Sequence, residues 1–249
     1  MKKIIRIFII VLTITGTCYA GGPLIIVRGQ DFAPYHYLDK DKKEKGFIIE
    51  IINGTAQRMG LKISYAQYPW SRCMNMMKKG QADAMMNLFK TPERMEFMTF
   101  AGTVLGYETN TLFTLTDKNL NYSGNIRELT SYKIGTIRNY SYGKRFDSIR
   151  FPVNFTLETE QQLLNALLNQ RCEVIIGNKL VFEKIFRARG LSPRIKALVP
   201  DVSKDPLFIA FSKVRGHETL AQSFSDNLKQ FKTTREYAKI LKSYNISLK

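Results

Sequence analysis

The chain of 249 residues has few of the residues on which stapled domains and metal centres depend. It contains three cysteines and two histidines, and no cysteine or histidine pair has metal-ligand spacing. Only Cys73 and Cys172 lie beyond the first twenty residues, and two cysteines about a hundred residues apart form no disulfide framework. We therefore expect two buried free thiols, with a single bridge as the alternative, and no metal or cofactor.

The sequence also lacks an apolar run of about 18 residues, the length that a membrane-spanning helix requires. The apolar stretch near the start, Ile7 to Ile14, follows three basic residues and leads to Cys18-Tyr19-Ala20. This order of basic, apolar and small residues is typical of a secretory signal peptide. We expect residues 1–20 to be removed and the remaining chain to be exported to the periplasm.

Acidic residues are scarce. The chain has 21 Asp and Glu against 38 Lys and Arg, a formal net charge of +17, and +14 once the three basic residues of the signal peptide are removed. Such a charge favours anionic partners. However, the basic residues are spread along the chain without a recognisable nucleic-acid motif. We therefore expect a diffuse, solvated positive surface and no nucleic-acid partner.

Short apolar strands alternate with amphipathic helices along the chain, which is the pattern of an α/β fold. The predicted strands are 24–27, 62–66, 84–86, 110–116, 133–136, 154–157, 174–176 and 207–211. The predicted helices are 47–59, 71–79, 140–149, 160–169, 179–189 and one or two closing helices over 218–244. In the second helix, Ser71 is the expected N-terminal cap.

The two halves of the chain share a short pattern. A shift of 90 positions superposes Asp83-Ala84-Met85-Met86 on Glu173-Val174-Ile175-Ile176, and a helix precedes each segment. This favours two similar lobes over one long sheet. The two acidic residues are expected to accept backbone hydrogen bonds at strand starts, and the loops that follow the strands are expected to line a cleft.

The stretch from Gly80 to Phe100 carries the strongest functional signal. Thr91 and Pro92 predict the start of a short helix, because threonine caps helices and proline suits their first turn. This arrangement puts Arg94 just beyond the carboxyl end of the strand 84–86. Ligands bind at that end of strands in open α/β sheets.

Several segments resemble the family 3 extracellular solute-binding proteins, the periplasmic receptors of amino-acid ABC transporters. They are DFAPYHY, GFIIEI, GQADAMM, TPERMEFMTF, IGTIRNYSYG and NQRCEVIIGN, and the resemblance covers essentially the whole mature length. It implies the type II periplasmic binding fold, with two α/β lobes, each a mixed sheet flanked by helices, joined by a two-crossing hinge. It further implies that residues 21–108 and 213–249 form lobe 1 and that residues 109–212 form lobe 2.

The resemblance also implies which residues contact a ligand between the lobes. Arg94 would hold a carboxylate through two parallel charge-assisted hydrogen bonds. The other positions that match ligand-binding positions of the family are Phe32, Trp70, Asn87, Phe89, Tyr140, Ser141 and Asn178.

The chain departs from the family at Asn178, where amino-acid receptors usually have an aspartate that holds the α-ammonium group. An amide cannot supply that counter-charge. We therefore expect either a carboxylate ligand without an ammonium group, or one whose ammonium is held by another residue. Glu108 and Asp31 are the candidates for that residue.

The function implied is that of a monomeric, non-enzymatic receptor. It would capture a small polar carboxylate solute and pass it to an inner-membrane ABC permease. Two alternatives remain open. One is a periplasmic cyclohexadienyl-type dehydratase on the same fold, which would need a proton donor facing the cleft. The other is a sensor that presents its ligand to a membrane partner.

Overall fold

The computed structural model describes residues 22–246. The predicted signal peptide, residues 1–20, lies outside this range. Within it, strands and helices alternate as the apolar pattern predicts. No helix of the described range is long and apolar enough to cross a membrane.

The first part of the chain builds most of one lobe. Its elements are β1 (Leu24–Arg28), β2 (Tyr37–Leu38), β3 (Glu44–Lys45), α1 (Phe47–Arg58), β4 (Ile63–Gln67), α2 (Trp70–Lys78), β5 (Ala84–Leu88), α3 (Pro92–Phe97), β6 (Met98–Phe100) and β7 (Gly106–Leu115). The remaining elements are β8 (Ile134–Ile137), α4 (Lys144–Asp147), β9 (Asn154–Leu157), α5 (Glu160–Leu168), β10 (Val174–Asn178), α6 (Lys179–Ala188), β11 (Ile195–Ser212), α7 (Glu218–Phe231) and α8 (Arg235–Ser243).

The strands form a continuous path in the order β4-β1-β5-β11-β7-β10-β8-β9, with β6 also paired to β11. On one side β1 is parallel to β4 and β5, and on the other β8 is parallel to β9 and β10. The central strands β7 and β11 run antiparallel to each other and to their neighbours. Each lobe therefore has a mixed sheet, which confirms the predicted two-lobed α/β fold.

The long strand β11 belongs to both lobes. Its residues 195–198 and 203–207 pair with β7 on either side of an irregularity, whereas Phe208–Phe211 pair with β5 and Ala210–Ser212 with β6. The predicted strand 207–211 is therefore only the end of an 18-residue strand. The chain passes between the lobes along β7 and β11, and the lobe boundaries predicted at 108/109 and 212/213 stay a prediction.

The Asp83 and Glu173 carboxylates occupy equivalent places in the two lobes. The Asp83 carboxylate accepts the backbone N–H of Ile25 at 2.8 Å, and the Asp83 N–H donates to the Ile25 carbonyl at 3.0 Å. Glu173 makes the same pair of bonds with Lys133, both at 2.9 Å. The predicted structural role of both acidic residues is confirmed.

Both cysteines of the described chain are buried and free, as predicted. Cys73 packs with Trp70 under β1 and β5, and Cys172 packs in the core between α5, α6 and β10. Burial raises the pKa of each thiol to about 12. Neither is a reactive thiolate near neutral pH.

Two local predictions are wrong. The predicted helix 140–149 is only α4, Lys144–Asp147, because Gly143 adopts a left-handed φ of 97° that a continuous helix cannot accommodate. Ser71 is not a helix cap, because α2 begins one residue earlier, after Pro69. The Ser71 hydroxyl instead donates to Glu158 of the other lobe at 3.2 Å.

Candidate functional site

A cavity lies between the lobes, and seven of the eight predicted site residues line it. They are Phe32, Trp70, Asn87, Phe89, Arg94, Tyr140 and Ser141. The cavity measures about 30 Å³, which is room for water but not for an amino acid. Four of these residues, Phe89, Arg94, Tyr140 and Ser141, also line a groove of about 1290 Å³ between the lobes.

Arg94 is fixed by the start of α3. The Thr91 hydroxyl accepts the Arg94 N–H at 3.4 Å, which confirms the predicted cap. The Arg94 side chain is 4 % exposed. Its Nη1 donates to the Phe89 carbonyl at 2.9 Å and its Nη2 to the Asn139 carbonyl at 3.1 Å. Two of its five N–H groups are thus held by backbone.

The charge of Arg94 is not neutralised by a salt bridge with any residue in the range 22–246. Burial lowers the pKa of its guanidinium to about 10, although the nearby Asp147, Glu93 and Glu108 carboxylates oppose this. The side chain therefore remains a cation at neutral pH. A buried cation that lines a cavity and has no salt-bridge partner among the described residues has the chemistry to accept an anion.

Arg28, the other fully buried arginine nearby, shows the contrast. Its Nε donates to both carboxylate oxygens of Glu44 at 2.8 and 3.0 Å, and its Nη1 to Asp31 at 3.3 Å. Arg28 is thereby neutralised inside its own lobe. The same bonds hold Asp31, whose carboxylate also accepts the N–H of Leu38, and Asp31 does not line the cavity.

Trp70 and Tyr140 close the cavity from opposite lobes. Their ring centroids are 5.0 Å apart in an edge-to-face arrangement, and the Trp70 Nε1 donates to the Asn139 carbonyl at 3.0 Å. The Arg94 guanidinium carbon lies 5.6 Å from the Trp70 ring centroid. The first lobe thus touches the 139–140 loop through an aromatic ring and two hydrogen bonds.

Phe32 and His36 form a further wall, with their rings stacked at 5.7 Å. Burial lowers the pKa of His36 to about 3, and the Arg28 charge lowers it too, so the imidazole is neutral. Its Nε2 lies 3.2 Å from the Gln30 carbonyl. Since a carbonyl only accepts, this bond assigns the proton to Nε2 and leaves Nδ1 as an acceptor without a partner among residues 22–246.

Asn87 lies in β5 at its carboxyl end and adopts a left-handed φ of 62°. This conformation is uncommon for residues other than glycine, although asparagine tolerates it better than most. Asn87 is 6 % exposed, and its Oδ1 is buried without a hydrogen-bond partner in the described part of the chain. Backbone strain and an unpaired acceptor thus coincide at the cavity wall.

Glu108 lines the same cavity from β7, the strand that passes between the lobes. It is 7 % exposed and forms no salt bridge with any described residue. Burial raises the pKa of its carboxyl group to about 8, and the neighbouring Glu160 raises it further, while Asn178 and Arg94 lower it. The cavity therefore combines an arginine and a carboxyl group that do not pair with each other.

Asn178, the eighth predicted residue, does not line the cavity. It ends β10 and caps α6, because its Oδ1 accepts the Val181 N–H at 3.2 Å. Its Nδ2 faces Glu108 and Tyr35 and lowers the pKa of both, but makes no hydrogen bond of standard geometry. The Asn178 amide thus lies next to Glu108 but does not form part of the cavity wall.

The sequence patterns missed several residues of the cavity wall. Gly29, His36 and Leu207 were not among the predicted site residues, and Glu108 was only a candidate substitute. Leu88 belongs to the loop 87–89 that was expected to line a cleft, but it was not named as a site residue. His36 lies within the DFAPYHY segment and Gly29 two residues before it, so the resemblance of this segment to the family was a usable signal. The positions of Glu108 and Leu207 depend on the long-range pairing of β7 with β11, for which the local sequence gives no signal.

Two lobes, two connecting strands and a cavity at the carboxyl ends of parallel strands define a binding protein of the type II periplasmic class. Solved structures of this class share the fold. An ancestral arginine-binding protein bound to arginine superposes with a TM-score of 0.78 at 17% identity, over 90% of this chain and 98% of that one. The sensor domain of a histidine kinase with similarity to periplasmic binding proteins gives 0.76 at 18% identity, over 89% and 95% of the two chains.

The family model of the bacterial extracellular solute-binding proteins, family 3, matches residues 24–247, so the chain belongs to this family. Two relatives are similar in sequence. A probable histidine-binding protein of Neisseria gonorrhoeae is 21% identical over 88% of this chain and 81% of its own. A probable amino-acid ABC transporter-binding protein of Haemophilus influenzae is 23% identical over 82% of this chain and 77% of its own.

Proposed function

We propose that this protein is a periplasmic receptor that captures a small carboxylate-bearing solute between its lobes and delivers it to an inner-membrane ABC permease. The family membership supports the general role of solute binding. The names of the two relatives support an amino-acid-type solute and a transporter as partner. The protein is proposed to act as a monomer and without catalysis.

The environment of Arg94 supports the proposal that the solute bears a carboxylate. It is buried, charged and lines the cavity, and it has no carboxylate partner among the described residues. Three of its five N–H groups are not used by the bonds to Phe89 and Asn139. A solute carboxylate would supply both the missing charge and the missing acceptors.

The small volume of the cavity supports movement of the lobes. Entry of a solute requires Trp70 and Arg94 to separate from the Asn139 carbonyl, because these bonds close the space between the lobes. Within residues 22–246, β7 and β11 are the only strands that connect the two lobes. A rotation of one lobe relative to the other would therefore bend these two strands. Hinge closure around the solute is the corresponding mechanism.

The two alternatives receive less support. A sensor role shares the fold, as the histidine kinase sensor domain illustrates, but fold alone does not distinguish sensing from transport. A dehydratase would need a proton donor at the cleft, and Glu108, whose pKa is raised to about 8, is the carboxyl group of the cavity wall within residues 22–246. The matching family is described by binding and not by catalysis.

The test is binding to a panel of the twenty standard L-α-amino acids and short mono- and dicarboxylates, screened by thermal shift and measured by calorimetry. We expect at least one carboxylate to bind wild type and to lose about 100-fold in affinity in Arg94→Ala, because truncating one side of a buried charge pair costs several kcal/mol. Arg94→Lys keeps the charge but not the parallel bonds, and should bind with intermediate affinity.

The matched control is Arg72→Ala, which removes an exposed arginine of α2 that packs over Tyr68. It should bind like wild type. Undiminished affinity of Arg94→Ala would remove Arg94 from the site, and failure of every carboxylate in the panel to bind would overturn the proposed solute class. Prephenate and arogenate, incubated with wild type, test the dehydratase alternative, and we expect no turnover.

A further inference from the structure

We propose that Glu108 is the acceptor for a cationic group of the solute, so that the ligand carries an ammonium group as well as the carboxylate held by Arg94. This inference rests on the proposed function, because it assigns the second half of the same ligand. It also explains how the protein compensates for Asn178, an amide where the family usually has an aspartate. The counter-charge comes from a connecting strand and not from the end of β10.

The geometry of the cavity favours Glu108 over the other acidic residues. Glu108 lines the cavity together with Arg94. Asp31 is committed to Arg28 and to the Leu38 N–H and keeps a half-exposed side chain. Glu160 is buried, but it accepts the Tyr140 hydroxyl at 3.0 Å and does not line the cavity.

Other acceptors stand at the same wall. The Asn87 Oδ1 and the His36 Nδ1 are both buried and have no partner among the residues that the structure describes, and both residues line the cavity with Glu108. An ammonium group offers three N–H donors and no acceptor. A site with a single guanidinium and several unpaired acceptors suits a zwitterion, whereas a simple carboxylate would leave those acceptors unsatisfied.

Burial gives this assignment a pH dependence. The charged or titratable groups that face Glu108 within the described residues are Glu160 on α5, Arg94 on α3, Asp205 on β11, Tyr35, Tyr140 and Tyr142. With its pKa raised to about 8, Glu108 is mostly protonated at neutral pH. Binding an ammonium group favours the carboxylate, so binding releases a proton and becomes tighter as pH rises.

His36 and Arg94 do not produce this dependence. His36 stays neutral because its pKa is about 3, and Arg94 stays charged because its pKa is about 10. Burial also raises the pKa of Glu160, so Glu160 is the group that must be distinguished from Glu108. A pair of matched amide variants makes that distinction.

The experiment compares L-α-amino acids with the corresponding acids that lack the amino group, for example L-phenylalanine with 3-phenylpropanoate and L-glutamate with glutarate, across the same panel. We expect wild type to prefer at least one amino acid over its desamino partner by about 100-fold, and Glu108→Gln to lose that preference. The affinity of wild type for the amino acid should rise about tenfold per pH unit from pH 6 to about pH 7.5. Glu108→Gln should show no such rise.

Glu160→Gln is the control, since it also replaces a buried carboxyl group and retains an oxygen for the Tyr140 hydroxyl. It should keep the preference for the amino acid and a rise of affinity with pH, with the rise shifted to lower pH because Glu160 contributes to the raised pKa of Glu108. Equal binding of an amino acid and its desamino partner by wild type would overturn this inference and leave the carboxylate receptor intact. A pH dependence that disappears in Glu160→Gln and persists in Glu108→Gln would also overturn it. If no carboxylate binds, both proposals fail.

Discussion

The indole Nε1 of Trp70 donates a hydrogen bond of 3.0 Å to the backbone carbonyl of Asn139, which lies in the other lobe. The same carbonyl accepts the Arg94 Nη2 at 3.1 Å. Asn139 holds a left-handed φ of 60°, a conformation that costs energy in a residue other than glycine. The Asn139 carbonyl thus accepts both hydrogen bonds, from Trp70 and from Arg94, by which the first lobe contacts the 139–140 loop.

Trp70 is the only tryptophan of the chain, so its fluorescence reports directly on this contact. The proposed closure predicts that Tyr140→Ala shifts the Trp70 emission to longer wavelength and increases its quenching by acrylamide. The reason is the loss of the ring contact at 5.0 Å, since an aromatic pair contributes about 0.5–1.5 kcal/mol beyond its buried area. This loss would favour the open arrangement by roughly 2- to 13-fold.

The control for this prediction is Tyr140→Phe. It keeps the ring against Trp70 and removes only the hydroxyl bond to Glu160, so the emission should stay at the wild-type wavelength. Unchanged emission and quenching in Tyr140→Ala would mean that the aromatic contact does not hold the lobes together.

The order of strands and helices was predictable because most elements carry their own apolar period and some helices carry their own cap. Thr91 and Pro92 specify the start of α3. Asp83 before β5 and Glu173 before β10 each accept a backbone N–H from a neighbouring segment, so the same pair of hydrogen bonds occurs in both lobes. The 18-residue length of β11 was not predictable. Its middle, Pro200 to Pro206, is polar and rich in turn-forming residues, and only the pairing with β7 makes it a strand.

Site residues whose positions depend on neighbouring sequence were predictable, whereas those whose positions depend on long-range contacts were not. Arg94 follows a cap and a strand end, and its position in the cavity agrees with the sequence pattern. Asn178 matches a family position, but the side chain turns to cap α6. Glu108 enters the cavity because two strands distant in sequence pair there, and such a contact has no signal within a short window.

The paired bonds of Asp83 and Glu173 predict a stability effect without a binding effect. Asp83→Ala leaves the Ile25 N–H without its acceptor, and Glu173→Ala does the same to Lys133. An unsatisfied buried backbone donor costs about 1–3 kcal/mol. Asp83→Ala should lose a free energy of unfolding in this range in urea denaturation, because its bond to Ile25 is partly buried and Asp83 also contacts His217 at 2.9 Å. Glu173→Ala should lose less, because its bond to Lys133 is exposed and water can replace the lost acceptor.

Glu96→Ala removes an exposed carboxylate of α3 for which the structure gives no hydrogen bond or salt bridge, and should unfold like wild type. The affinity for any carboxylate found in the panel should be equal in all four proteins. Weaker solute binding by folded Asp83→Ala or Glu173→Ala would show that these acids do more than support their strands.

Gly54 in α1 offers a prediction in which packing opposes helix propensity. Alanine is favoured over glycine inside a helix by about 1 kcal/mol. A Cβ at this position would nevertheless lie 2.3 Å from the ring of Phe231 in α7. The Phe231 side chain is fully buried. Since overpacking a core costs about 1–3 kcal/mol, Gly54→Ala should lower the free energy of unfolding. The exposed Gln57→Ala on the same helix should leave it near the wild-type value, and a Gly54→Ala variant more stable than wild type would mean that α1 and α7 can move apart at no cost.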